Sequence, residues 1–150
     1  MKTIYRLDYF EPYEPDSKYE EVFRLGYYES RERANMEIDS FYKHLPGFKD
    51  GGYENYRITE MNVDEFINSS PTDNETNIYY ELNYGYDTAD EYSVDTVLGV
   101  YSRKKWAKMM QEKYQKWTIF ILHSHPEFGG EFHIDSYILN QHWWISGFSR

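Results

Sequence analysis

The chain contains no cysteine. It can therefore form no disulfide bond, carries no thiolate nucleophile and offers no cysteine ligand to zinc, and this fits a reducing compartment. No stretch is apolar over the roughly 20 residues that a membrane span needs, and the segment from Met1 to Tyr9 has no apolar signal region. The sequence predicts a cytoplasmic protein with no membrane partner.

Positive charge is scarce, because 16 Lys and Arg residues stand against 26 Asp and Glu residues, a formal net charge of −10. Such a chain repels a polyanion on average, so we expect no direct binding to nucleic acid. The 150 residues are 40% hydrophobic, which is enough for one compact body with a core. Tyrosine is abundant, with 17 copies, and its ring and hydroxyl suit half-buried sheet faces and contact surfaces.

A short pattern occurs twice in the chain. Leu25–Tyr28 reads Leu-Gly-Tyr-Tyr, and Leu98–Tyr101, which begins 73 residues later, reads Leu-Gly-Val-Tyr. Other landmarks recur in the same order: Leu7–Tyr9 with Leu82–Tyr84, Ala34 with Ala107, Pro46–Phe48 with Pro126–Phe128, and Tyr56–Ile58 with Phe132–Ile134. Self-similarity of this kind indicates one duplicated unit.

Each copy predicts two strands, a helix and a third strand. The strand predictions, based on aromatic and β-branched content, are Thr3–Phe10, Glu21–Tyr28, Tyr56–Val63, Ile78–Tyr86, Ser93–Tyr101 and Phe132–Leu139. Gly26 inside a strand indicates a bulge or a close approach of the backbone. The first helix buries one face at helical spacing, formed by Ala34, Ile38, Phe41, Tyr42 and Leu45.

The second helix has the same kind of face, formed by Ala107, Met110, Tyr114, Trp117 and Ile121. Trp117–Leu122 is β-branched and aromatic, so a local strand is the alternative there. The predicted fold is α+β, with two ββαβ repeats related by pseudo-twofold symmetry and mainly antiparallel sheet packed with two helices. Residues 1–67 form the first repeat, 68–77 a linker and 78–150 the second repeat of one compact body.

A wider pattern resembles a small bacterial and phage family of unknown function. The residues that carry it are Gly99–Ser102 (Gly-Val-Tyr-Ser), Pro126–Phe128 (Pro-x-Phe), Phe132–Leu139 and Trp144–Phe148 (Trp-x-x-Gly-Phe). The first repeat matches less well, with Pro46–Phe48 (Pro-Gly-Phe) but no Trp-x-x-Gly-Phe after Val63. The resemblance implies a tandem copy of that domain, and it brings no catalytic residue with it.

His123-Ser124-His125-Pro126 resembles the His-x-His-Pro element of metal-dependent deubiquitinase-type peptidases, in which two imidazoles and an Asp hold zinc. That family needs Ser and Asp at the positions where this chain has His133 and Ser136. The repeat also aligns His125 with Leu45 at a helix end. We therefore expect neither a cofactor nor a metal, and we keep a hydrolase using His123, His125 and His133 as an alternative.

The function that composition favours is a non-enzymatic inhibitor that occludes a basic protein partner, such as a toxin immunity protein or a phage anti-defence factor. Two acidic loops and an aromatic end supply the predicted contact residues: Glu11, Glu14, Asp16, Glu20, Asp87, Asp90, Glu91, Trp143 and Trp144. A small-ligand pocket remains a further alternative, and the protein could act as a monomer or a homodimer.

Overall fold

A computed structural model describes residues 2–12, 20–68, 77–87, 93–124 and 130–148. The first repeat contains β1 (Thr3–Pro12), β2 (Glu20–Tyr28), α1 (Arg31–Ser40) and β3 (Tyr56–Asn62), with short 3-10 turns between α1 and β3. The second contains β4 (Ile78–Asp87), β5 (Ser93–Tyr101), α2 (Lys104–Ser124) and β6 (Gly130–Ile138). The predicted α+β class and the six strands are confirmed.

The strands form two three-stranded sheets of the same order, β2-β1-β3 and β5-β4-β6. Both hairpins, β1 with β2 and β4 with β5, are antiparallel. The sheets belong to separate compact units. The first unit comprises Thr3–Met61 and Tyr137–Arg150, and the second comprises Met1–Lys2 and Asn62–Ser136. The segment after β6 therefore packs with the first sheet, although it follows the second sheet in the chain.

Each hairpin carries a bulge at the same place. Leu7 pairs with Gly26, and the next pair skips one residue of β2; Leu82 and Gly99 repeat this register shift. Gly26 has φ +136°, and a Cβ there would lie 2.8 Å from the backbone oxygen of Gln141. A side chain is excluded at this position by both conformation and space, so the predicted bulge and close backbone approach are confirmed.

The first core is largely aromatic. Its buried members are Leu7, Tyr9, Phe23, Leu25, Tyr28, Ala34, Ile38, Tyr42, Phe48 and Tyr56. Phe148 adds to it, with its ring stacked on Phe23 at 4.6 Å between centroids. The predicted helical face is confirmed, since Ala34 and Ile38 are buried and Phe41 and Leu45 pack against the cluster. The α-helix ends earlier than the face, however, because a 3-10 turn carries Tyr42.

The second core draws on both the hairpin and α2. Leu82, Tyr101, Ala107 and Met110 are buried in it, with Phe132 and Ile134 of β6 packed against them. α2 is continuous to Ser124, so the alternative of a local strand at Trp117–Leu122 is wrong. Steady helical spacing of apolar residues outweighs the β-propensity of single residues here.

A polar residue with a left-handed backbone follows the third strand of each repeat, and the short segments around these residues, at Asp64 and Asn140, are called clasps below. Asp64 and Asn140 both have left-handed backbones, with φ of 59° and 63°, a conformation that Asp and Asn tolerate better than other residues with a Cβ. The N–H of Asp64 donates to the oxygen of Val100 at 3.0 Å, and the N–H of Asn140 donates to the oxygen of Tyr27 at 2.8 Å. Both segments thus cover the outer edge of a hairpin strand, an edge that would otherwise expose unpaired backbone groups.

Candidate protein-binding surface

An open cleft of about 330 Å³ lies in the second unit, where β4 ends and β5 and β6 begin. Its charged and imidazole groups are those of Asp87, Asp95, Glu131 and His133, and Gly85, Tyr86 and Val94 complete the lining. Three carboxylates and one imidazole converge on a space large enough for the end of a long side chain. The cleft therefore has a negative potential and suits a cationic group.

The hairpin register explains how two of these carboxylates meet. Asp95 is directly opposite Gly85, and Asp87 is opposite Ser93, so alternate residues place both aspartates on one face of the hairpin. A side chain at Gly85 would collide with Oδ1 of Asp95. The glycine therefore leaves room for the Asp95 carboxylate above its strand.

β6 supplies the other wall. Glu131 and His133 alternate along the strand and so share a face, with 3.6 Å between Glu131 Oε2 and His133 Nε2. Both side chains are more than half exposed, and the pair carries opposite charges only when the imidazole is protonated. An exposed pair of this kind holds little energy, so Glu131 is free to exchange its partner for another cation.

In the first hairpin, the two described acidic residues that were predicted as contacts, Glu11 and Glu20, are less available to a partner. Glu20 accepts from Nη2 of Arg57 at 3.1 Å, and Glu11 is half-buried. The charge of Glu20 is thus already compensated within its sheet. Four other predicted contact residues, Glu14, Asp16, Asp90 and Glu91, lie outside the described residues.

Trp143 and Trp144 belong to the first unit and divide their surface between packing and solvent. Trp143 is 49% exposed and lies 4.5 Å from the ring of Tyr137, whereas Trp144 is 37% exposed and meets Phe23 edge-on at 5.0 Å. The N–H of Trp143 also donates to the oxygen of Leu25 at 3.1 Å. Their predicted role as contact residues stays a prediction.

The histidines are in different settings. His133 lines the cleft, the backbone of His123 lies in the last turn of α2, and His125 lies outside the described residues. Within the described ranges, no three His, Asp or Glu side chains come close enough to hold a metal ion. The metal-dependent hydrolase therefore gains no support from the described geometry and stays an alternative.

His142 has a role that the sequence did not indicate. Its ring stacks on Phe41 at 3.9 Å with an interplanar angle of 8°, and its Nε2 is hydrogen-bonded to the carboxylate of Glu37. Arg33 donates to the other oxygen of Glu37 at 2.9 Å. Burial alone would raise the pKa of Glu37, but the hydrogen bonds from His142 and Arg33 outweigh it and hold that pKa below the usual 4.5.

The sequence also missed part of the cleft. Asp95 belongs to the acidic stretch beside the second loop. Glu131 could not be identified as a site residue from the sequence, because single acidic residues are common in this chain. The available signal was the alternation of Glu131 with His133 along a predicted strand. What the sequence could not give was which strand lies beside the hairpin end.

No family model, curated protein or solved structure matches this chain. The family resemblance drawn from the sequence patterns therefore stays a prediction. No helix within the described ranges combines the length and apolarity needed to cross a bilayer. Any function assigned to the chain rests on the chemistry of its own surfaces.

Proposed function

We propose that the protein is a non-enzymatic inhibitor that binds a basic segment of another protein in the cleft formed by Asp87, Asp95 and Glu131. The single observation that supports this most is the convergence of three carboxylates on one open cleft. In a chain of net charge −10, such a site attracts a cationic partner over several ångströms before contact.

The cleft favours a cationic side chain over a small apolar ligand. Small-molecule pockets are mostly apolar and enclosed, whereas this one is open and three of its seven lining residues are carboxylates. A Lys or Arg of a partner could reach the carboxylates from the open side of the cleft. Occlusion then follows, because the partner's basic segment is covered while it is bound.

The proposal is tested with a fluorescent peptide of alternating Lys and Gly. We expect 1:1 binding whose association rate falls as salt rises. Replacing both hairpin aspartates (Asp87→Asn with Asp95→Asn) removes two exposed charge pairs, so the affinity should fall about three- to tenfold. The matched control, Glu29→Gln with Glu32→Gln, makes the same change in net charge on exposed residues of the first unit and should leave the affinity within a factor of about two.

The same two variants identify the natural partner. A protein from the native host that is retained by the wild-type chain and by the control, and lost with the aspartate variant, is the expected outcome. Equal peptide binding by both variants would mean that overall charge, not the cleft, attracts the peptide, and the proposal would then be abandoned.

A further inference from the structure

We propose that the exposed face of α2 binds an anionic lipid surface. This function is separate from the cleft and does not depend on it. A peripheral contact of this kind needs no spanning segment, because an amphipathic helix can lie in the plane of the headgroups.

Charge is strongly segregated onto α2. Between Lys104 and Trp117 the helix carries five lysines and one glutamate, a net charge of +4, whereas the whole chain carries −10. All five lysines (Lys104, Lys105, Lys108, Lys113 and Lys116) are exposed. Among the described residues, Lys108, Lys113 and Lys116 have no acidic partner within ion-pair distance, so their charge faces solvent.

Helix stability does not explain this pattern. Lys104 and Lys105 stand in the first turn, which contains no acidic residue, at the end where the helix dipole disfavours cations. α1 has the N-cap Ser30, whose Oγ accepts from the N–H of Arg33, but its first turn also carries two arginines beside Glu32. Basic residues in the first turn thus occur in both helices, and α2 is distinguished by the number of its exposed lysines.

α2 is the longer of the two helices. α1 has 10 residues and α2 has 21, and Tyr114 is the last described side chain of α2 in the second core. Ten further residues to Ser124 extend the helix by about 15 Å.

Apolar residues lie among these lysines. Trp117 is 71% exposed and Met109 is 39% exposed. Tryptophan prefers the headgroup level of a bilayer, and lysines beside it reach the lipid phosphates. A nucleic-acid backbone would need only the cations, so the exposed Trp117 favours lipid.

Vesicle sedimentation of the full chain tests the proposal. Vesicles containing about one-third phosphatidylglycerol should pellet the protein at low salt, and pure phosphatidylcholine vesicles should not. Since each lysine near an anionic surface contributes about fivefold in affinity, Lys113→Gln with Lys116→Gln should weaken binding by at least about tenfold. The control variant, Lys43→Gln with Lys49→Gln, makes the same charge change in the first unit and should bind like the wild type.

Three results would overturn the proposal. The first is the absence of sedimentation with phosphatidylglycerol vesicles. The second is an equal loss of binding in the two lysine variants, which would show that only net charge matters. The third is binding to a duplex DNA oligonucleotide, without vesicle binding and with the same dependence on Lys113 and Lys116, which would assign this face to nucleic acid.

Discussion

Asp8 in the first unit and Asn83 in the second stand at the same place beside the bulge of their hairpins. Asp8 is fully buried and paired with two arginines: Arg6 Nε lies 2.9 Å from Oδ2, and Arg24 bonds the other oxygen. Asn83 donates to Asp135 Oδ2 at 3.3 Å, while its own Oδ1 is buried and has no hydrogen-bond partner among the described residues. Equivalent backbones thus carry an ion-pair cluster in one unit and an incompletely satisfied amide in the other.

A second pair of equivalent sites shows the same difference. Glu37 of α1 corresponds to Met110 of α2. His142 corresponds to Phe66, because each follows the left-handed residue of its segment, Asn140 or Asp64, by two positions. The first unit therefore holds its C-terminal segment through a titratable pair at a place where the second unit has apolar residues. Strand order and register thus stay the same when the side chains at equivalent sites change from charged to amide or apolar, because order and register are set by backbone pairing and by the bulge.

The largest expected effect comes from the buried carboxylate. Asp8→Asn keeps the shape of the side chain and removes the charge that two guanidinium groups share, so the free energy of unfolding should fall by about 3 kcal/mol. Asn83→Ala should cost only about 1 kcal/mol, because that amide is already incompletely bonded. Urea denaturation measures both. Equal losses of unfolding free energy in the two variants would contradict the expected difference between the two sites.

Asp64 and Asn140 should differ by less. Asp64 accepts the N–H of Ser102 at 2.8 Å and its hydroxyl at 2.5 Å. Within the described part of the chain, the side chain of Asn140 accepts a single hydrogen bond, from the N–H of Glu29 at 3.0 Å. We expect Asp64→Ala to cost about 2 kcal/mol and Asn140→Ala about 1 kcal/mol. Glycine at each position relieves the left-handed backbone, so the Gly variants in the same urea assay separate the hydrogen bonds from strain. A larger loss at Asn140 would reverse the proposed order.

The smallest effect is a pH dependence confined to the first unit. The pKa of Glu37 is lowered in the folded chain, so its ionised form stabilises the fold above the unfolded pKa of about 4.5, and this contribution is lost as the pH falls through the lower, folded value. Glu37→Gln should therefore flatten the decline in unfolding free energy as the pH falls below about 4.5. Met110→Gln should leave that slope unchanged. An unaltered slope in Glu37→Gln would contradict the assignment.

Patterns within one segment were predictable from the sequence. Alternation located the strands, helical spacing located the helix residues that pack in the cores as far as Tyr114, and Gly26 indicated its bulge, because each depends on neighbours a few residues away. The predicted face of α2 was wrong at Trp117, which is 71% exposed. The end of α1 was harder to predict. Tyr42 keeps its place in the core although the backbone changes to a 3-10 turn, and side-chain periodicity cannot distinguish these two states.

Contacts between distant segments were not predictable. Nothing in the residues around Asp64 or Asn140 indicates that each will cover a hairpin edge, and His142 looks like one of several scattered histidines. Glu131 gains its meaning only from the hairpin beside it. Such roles depend on which chain segments are neighbours in space, and a single sequence does not encode that in any local pattern.

The sequence by itself determined the α+β class, the two similar sets of strands and helix, and the acidic character of the chain, because propensity, periodicity and charge are properties of single residues and short windows. The tertiary structure alone decided which carboxylates share a cleft, which edge each clasp covers, and that the segment after β6 packs with the first sheet. These outcomes depend on strand pairing across the chain, where the free energy comes from contacts between residues far apart in sequence.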